Sequence, residues 1–283
     1  RFLHPCPIFS PFALKARLRL VTTMRRARRG VHMQIDLNSD LGEGFGPWAM
    51  GDDAAILGSV TSANIACGGH ASDPDTMVAT LLLAQAKGVR VGAHPGYADP
   101  LGFGRRVIPM SEAQIERMVA VQIGALMGAA AVAGVQIAYV KAHGALANLA
   151  AANRGVADAI ARATRALSRD LALLAISGTE LEAAAETAGL TSFSEVFADR
   201  AYQANGQLVP RDQPGAMITD ANAATQRLLH LLETGKMPVL GGGHVKLRAQ
   251  SICVHGDSPH AVAMAQSIRQ GLTTAGVKLA AFV

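Results

Sequence analysis

Short apolar strands that alternate with helices, each strand closing on a polar residue, constrain this chain more than anything else in it. Strands are expected at the segment opened by Met33 and at 59–66, 89–94, 135–141, 171–176 and 193–197. Hairpin-like strands are expected within 245–254, and a last strand at 277–280. Helices are predicted at 74–87, from the Ser111–Gln114 capping box to Ala133, and at 145–167 with a break near Asn153-Arg154-Gly155. Further helices fall at 180–188, 220–233 and 259–275. Asp73 before Pro74 is an N-cap followed by proline at the first helical position. Asn205-Gly206 reads as a hairpin turn. Parallel neighbours need a crossover, so such alternation implies a parallel sheet with helices outside it, in one domain spanning residues 33–283.

Polar residues mark where the strands end. Asp40, His70, His94, His143, Asp199 with Arg200, and His255 with Asp257 each lie at or just beyond the carboxyl end of a different predicted strand. In an α/β barrel those ends converge on one face, the face that carries chemistry. A single histidine in such a place is more often a structural hydrogen-bonder. Four of nine histidines at equivalent places on separate strands are harder to explain that way. On the first strand Asp36, Asn38 and Asp40 alternate and therefore share a side, which an apolar core would not tolerate unpaired. That side is expected to meet a metal, a substrate or basic partners.

Charge needs to be read by region. The net charge is +5, but Arg1, Lys15, Arg17, Arg19, Arg25, Arg26, Arg28 and Arg29 precede the first acidic residue, Asp36. Without those eight, 18 basic residues face 21 acidic ones, a net of −3. The folded body thus has no basic excess to attract nucleic acid, and residues 1–32 read as an extraneous or disordered basic extension. Uninterrupted apolar runs fall short of the roughly 18 residues that suggest a membrane span, and neither a membrane nor a nucleic-acid partner is expected. Three scattered cysteines make no disulfide framework and no Cys-x-x-Cys pair, which fits a reducing cytoplasm.

Aspartate with several histidines on one rim suits a hydrolytic metal site, and equally a metal-free site in which a carboxylate orients a histidine base. No His-Glu-x-x-His is present to decide between them. Arg105, Arg106, Lys141, Arg200 and Arg211 fall on the same rim and suggest a small anionic substrate. Lys141 stands out, because a charge inside an apolar strand requires a partner. Two nucleotide signatures are excluded. Gly42-Glu43-Gly44-Phe45-Gly46-Pro47 carries an acid that would repel a pyrophosphate and a proline that disturbs the helix start. Gly235-Lys236 lacks the upstream glycine and the following Ser or Thr of a P-loop.

Seven motifs, in order, carry a resemblance. They are Asp36-Leu37-Asn38-Ser39-Asp40-Leu41-Gly42-Glu43, Asn64-Ile65-Ala66-Cys67-Gly68-Gly69-His70, Gly92-Ala93-His94-Pro95, Gly102-Phe103-Gly104-Arg105-Arg106, Lys141-Ala142-His143-Gly144-Ala145-Leu146, Phe197-Ala198-Asp199-Arg200 and Cys253-Val254-His255-Gly256-Asp257. Together they resemble the LamB/YcsF family from Met33 nearly to the C-terminus. Gly69, Ser72, Ala142 and Ala147 depart from the family's usual Phe, Gly, Pro and Tyr, next to the polar residues rather than in place of them. The resemblance implies an irregular (β/α) barrel, TIM-like and similar to the glycoside hydrolase and deacetylase barrels. It implies a hydrolase acting on a cyclic amide, opening 5-oxoproline to glutamate with ATP as co-substrate, in a complex with two further 5-oxoprolinase subunits, B and C. ATP would be bound mainly by those partners.

The expected catalytic set is Asp36, Asp40, Glu43, His70, His94, His143, His255 and Asp257. The expected substrate-binding set is Asn38, Asn64, Arg105, Arg106, Lys141, Arg200 and Arg211, with Asp40, His70 and His143 as ligands of a divalent metal. Two alternatives stand beside this reading. A metal-dependent amide or sugar deacetylase would use the same rim without ATP, and a non-catalytic lactam-binding subunit would tolerate loss of His143.

Overall fold

The computed structural model describes residues 33–256 and 259–283. The expectations about residues 1–32 and about Asp257 lie outside that range. Strands β1 (Gln34–Leu41), β2 (Ser62–Ala66), β3 (Arg90–His94), β4 (Ile137–Val140), β5 (Ala172–Ile176) and β6 (Ser192–Phe197) run parallel in sequence order. Strand β9 (Ser251–Cys253) joins β6 to β1 and closes a seven-stranded parallel barrel. Its register pairs Asp36 with Ser251 and Asn38 with Cys253. Strand β10 (Lys278–Leu279) pairs with Gln34 and Ile35, just before the stretch of β1 that meets β9.

Helices α1 (Asp53–Leu57), α2 (Pro74–Ala86), α3 (Glu112–Ala133), α4 (Gly144–Ala152), α5 (Arg154–Leu167), α6 (Glu180–Thr187), α7 (Ala221–Thr234) and α8 (Pro259–Thr274) connect the strands. Local chemistry sets their ends. The Asp73 side chain accepts from Asp75 N and Thr76 N at the start of α2. Ser111 and Gln114 form a reciprocal capping box on α3, which stops at Gly134 with φ +68°. Asn153 separates α4 from α5 and accepts from Val156 N at 3.1 Å. Helix α3 is long and apolar enough by composition to cross a membrane. Here its Ile115, Val119, Ile123 and Leu126 are buried in the core.

One expectation is corrected and one helix is added. The 245–254 stretch is not a hairpin with itself: β8 (His244–Lys246) pairs antiparallel with an unpredicted β7 (Lys236–Pro238), while β9 enters the barrel. Helix α1 was also not foreseen. Its Asp53 accepts from Gly42 N at 2.9 Å and so fixes the loop that leaves β1.

Between β6 and α7 the chain makes an excursion over residues 198–219, held by the bridges Arg200↔Met217 and Tyr202↔Leu208. The Asn205-Gly206 turn lies inside it, with Gly206 at φ +85°. The small buried group Ala201, Val209 and Ala216 gives the excursion its own packing. It forms one wall of the mouth of the barrel.

Candidate active site

Alternate residues of the strands point into the barrel, and this interior is polar. Asp36, at the lowest level, is fully buried and accepts hydroxyl hydrogen bonds from Thr61, Ser62 and Ser251. Burial pushes its carboxyl up to about 6 even so. Above it Asn38 donates to Glu195 at 2.9 Å and Ser251 at 2.7 Å, and accepts from Asn64 at 2.7 Å. Asn64 also accepts from the Tyr139 hydroxyl at 2.7 Å. The Tyr139 ring reaches inward because β4 slips register against β3 after Val91, and because Gly92 leaves room for it. A Cβ on Gly92 would fall 2.4 Å from that ring.

Lys141 ties this interior to the rim. Its ammonium donates to Asn38 Oδ1 at 3.0 Å and Asp40 Oδ1 at 3.1 Å, and pairs with Glu195 Oε1 at 2.8 Å. Burial alone would depress the ammonium, but Asp40, Cys253 and Glu195 more than offset it and raise it well above its ordinary value. Asp40 answers in kind. Burial would raise its carboxyl, yet His94 and Lys141 hold it well below the usual carboxylate range. Asn64 Nδ2, at 2.8 Å from Asp40 Oδ1, completes its anchoring.

Glu43, His70, His94 and His143 gather beside Asp40. His70 and His143 stack with ring centroids 3.6 Å apart and planes 4° from parallel, and His94 meets both edge-on. Glu43 Oε1 lies 3.1 Å from His70 Nε2 and 3.6 Å from His143 Nδ1. Burial and the Asp40 charge push the Glu43 carboxyl up to about 8. Burial and His94 press His70 down to about 3. Burial, then the two neighbouring imidazoles, hold His143 well below its ordinary value. Both rings are thus neutral at pH 7.

Main-chain carbonyls orient the rings. His143 Nε2 donates to Phe103 O at 2.8 Å, and His94 Nδ1 donates to Lys141 O at 2.8 Å. Phe103 adopts φ +54°, an uncommon conformation for a bulky residue, at the position whose carbonyl holds His143. Gly104 passes close beneath, where a Cβ would fall 2.7 Å from His70 Cβ.

These groups open onto a cavity of about 580 Å³ at the carboxyl-terminal mouth of the barrel. Asp40, Glu43, His94, Lys141 and His143 line one side of it. Arg105, Arg200, Arg211 and His255 line the rest. Arg200 is buried, donates to Val209 O at 2.6 Å, and has no hydrogen-bond partner for its Nε among the described residues. Burial, then the Arg211 charge, brings it down to about 10. His255 Nδ1 stands 2.8 Å from Asp199 Oδ2. Burial opposes its charge, but Asp199 and Asp40 raise it above its ordinary value.

Four expected residues are placed elsewhere. Asp36, Asn38 and Asn64 lie beneath the cavity floor, with their polar atoms taken up by the interior network. Arg106 is turned onto Asp99, which it pairs with, and stays out of the cavity wall. Glu195 was missed. The signal that marks Lys141, a charge inside an apolar strand, is present in Phe193-Ser194-Glu195-Val196-Phe197 as well.

A barrel of this kind, with this rim, has known relatives. Residues 35–283 match the LamB/YcsF family profile. The chain belongs to that family. A relative from Nocardia farcinica, named as the A subunit of 5-oxoprolinase, is 53% identical over 89% of this chain and 100% of its own length. One from Nitrobacter hamburgensis with the same name is 48% identical over 88% of this chain and 98% of its own. The crystal structure of a lactam utilization protein from Thermus thermophilus superimposes with a TM-score of 0.84 at 43% identity. The match covers 88% of this chain and 100% of that one.

Proposed function

We propose that this chain is the ring-opening subunit of an ATP-dependent 5-oxoprolinase, which converts 5-oxoproline to glutamate, ADP and phosphate. The observation that carries the reading is a buried carboxylate–histidine cluster facing arginines across one cavity. The name that the relatives bear supports it. The cavity exceeds a five-membered lactam and leaves room for a phosphoryl group.

Phosphorylation of the lactam oxygen, by the B and C partners that bind ATP, makes the ring carbon electrophilic. Arg200 grips the substrate carboxylate with its free Nε–H, and Arg105 and Arg211 face the phosphoryl group. Asp40, beside the histidine cluster, takes a proton from water as its oxygen bonds to the ring carbon. The carbon–nitrogen bond then breaks, and His255, whose charged form Asp199 favours, supplies the proton to the leaving nitrogen. A second water releases phosphate from the resulting acyl phosphate and leaves glutamate.

The test is an assay of glutamate and ADP formation by this chain with and without its two partners. The chain alone should neither bind ATP at micromolar concentration in calorimetry nor turn over 5-oxoproline. In the assembled complex His143→Ala should slow glutamate formation by about 100-fold or more while ADP formation continues. Partner-free turnover or micromolar ATP binding would overturn the division of labour. Unchanged glutamate formation in the variant would leave this chain a lactam-binding subunit.

A further inference from the structure

We infer that Glu43, His70, His94 and His143 form a binding site for one divalent first-row transition metal ion of the zinc type. His94 Nδ1 and His143 Nε2 each donate to a main-chain carbonyl, Lys141 O and Phe103 O, both at 2.8 Å. The remaining ring nitrogens, His94 Nε2 and His143 Nδ1, face each other at 3.0 Å. Two ring nitrogens that close share either a proton or a metal ion. Backbone carbonyls that fix the far nitrogen are also the usual outer-shell support of metal-binding histidines.

The other donors converge on the same point. Stacking on His143 brings His70 Nε2 to the same edge, and Glu43 Oε1 lies 3.1 Å from it. The four donor atoms all fall within 4.8 Å of one another. His70, His94 and His143 are at most 4% exposed, so the site is shielded from bulk water. Three imidazoles and one carboxylate suit zinc, cobalt, nickel or iron, whereas calcium and magnesium take oxygen donors. Asp40, expected as a ligand from sequence, stands one step back. Its Oδ1 is held by Lys141 and Asn64, and its Oδ2 lies 3.3 Å from His94 Nε2. Because Glu43, His94 and His143 line the cavity, an ion here would be within reach of a bound molecule.

This inference goes beyond ring opening and is tested without it. The full chain, stripped with chelator, is titrated with cobalt(II) alone and followed by visible d–d absorption, with zinc(II) as competitor. The expected result is one equivalent bound at roughly micromolar affinity or better. His94→Ala and His143→Ala should weaken binding by about 100-fold or more, at least the loss that outer-shell changes cause. His244→Ala, which alters the histidine pair His230–His244 away from the cavity, should bind as the wild type does. Where a ligand variant does not fold, X-ray absorption of the cobalt-loaded wild type should show imidazole scattering from three rings. No stoichiometric uptake by the wild type would mean that a shared proton fills the gap, and would overturn the site. So would binding unchanged in folded His143→Ala, or lost in His244→Ala.

Discussion

Replacing Lys141 with methionine tests whether the polar barrel interior is held by one charge. The Lys141 side chain is 5% exposed and serves Glu195 at 2.8 Å and Asp40 at 3.1 Å. With an effective dielectric constant of about 20, these contacts correspond to about 6 and about 5 kcal/mol of gross attraction. Burying the ammonium offsets much of that. Methionine fills similar space but leaves two carboxylates, 1% and 15% exposed, without their common cation. Removing one member of a buried ion pair costs about 3–5 kcal/mol, and the same loss is expected here.

The pH dependence has a definite sign. Lys141 is raised above 10.5 in the fold, so its contribution is fully present below 10.5 and fades only as pH climbs through the higher folded value. At pH 7 the whole effect should appear. Urea unfolding at pH 7 should give a lower midpoint for Lys141→Met with an unchanged slope. Acidification into the carboxylate range should recover part of the loss, because protonated carboxyls need no counter-charge. Lys141→Met/Glu195→Gln should regain about 1–3 kcal/mol over the single variant. A single-variant loss below about 1 kcal/mol, or a double variant no more stable than the single, would refute the reasoning.

Other positions give sharper single readings. Asp36 is raised from 3.8 to about 6 in the fold, so its contribution is present below pH 4 and lost as pH rises through 6. Relative to Asp36→Asn, the wild type should lose about 2 kcal/mol of unfolding free energy between pH 4 and 7; a flat difference would sink the assignment. Gly92→Ala would push a methyl group to 2.4 Å from the Tyr139 ring and break the Tyr139–Asn64 hydrogen bond. Thermal unfolding should report a loss of about 3 kcal/mol, and a variant as stable as the wild type would mean that the ring can move aside.

What the sequence disclosed follows from which forces are local. Asp73-Pro74 and Ser111–Gln114 were readable because a cap is a contact between neighbours in the chain. The shared face of Asp36, Asn38 and Asp40 was readable because strand periodicity fixes it. The β7–β8 pair was not, since each strand is three residues long and too short to show a period. Placing Asp36 and Asn38 at the substrate failed for a different reason. Periodicity says which side a residue faces but not how far along the barrel axis the cavity floor lies. Ser62, Ser251 and Asn64 decide that by filling the lower levels with hydrogen-bond partners. Arg106 fell to a competitor seven residues away, Asp99, which also caps the turn at Gly102.

The histidine cluster shows the limit most clearly. Its membership was visible, as three imidazoles at the ends of separate strands and loops. Its chemistry depends on which nitrogen of each ring is free, and that is set by the carbonyls of Phe103 and Lys141. A carbonyl has no residue identity, so no side-chain pattern announces it. Its position comes from Phe103 held at φ +54°, and from Gly104, whose missing Cβ lets the loop close over His70 and His143. Lys141 links the two requirements in one residue. Its side chain neutralises Asp40 from below, while its own carbonyl turns His94 toward His143. The geometry of the site therefore rests on the β3–β4 register slip that brings Lys141 to the rim. A change in that slip would disorder both the charge balance and the tautomers, even with every polar residue retained.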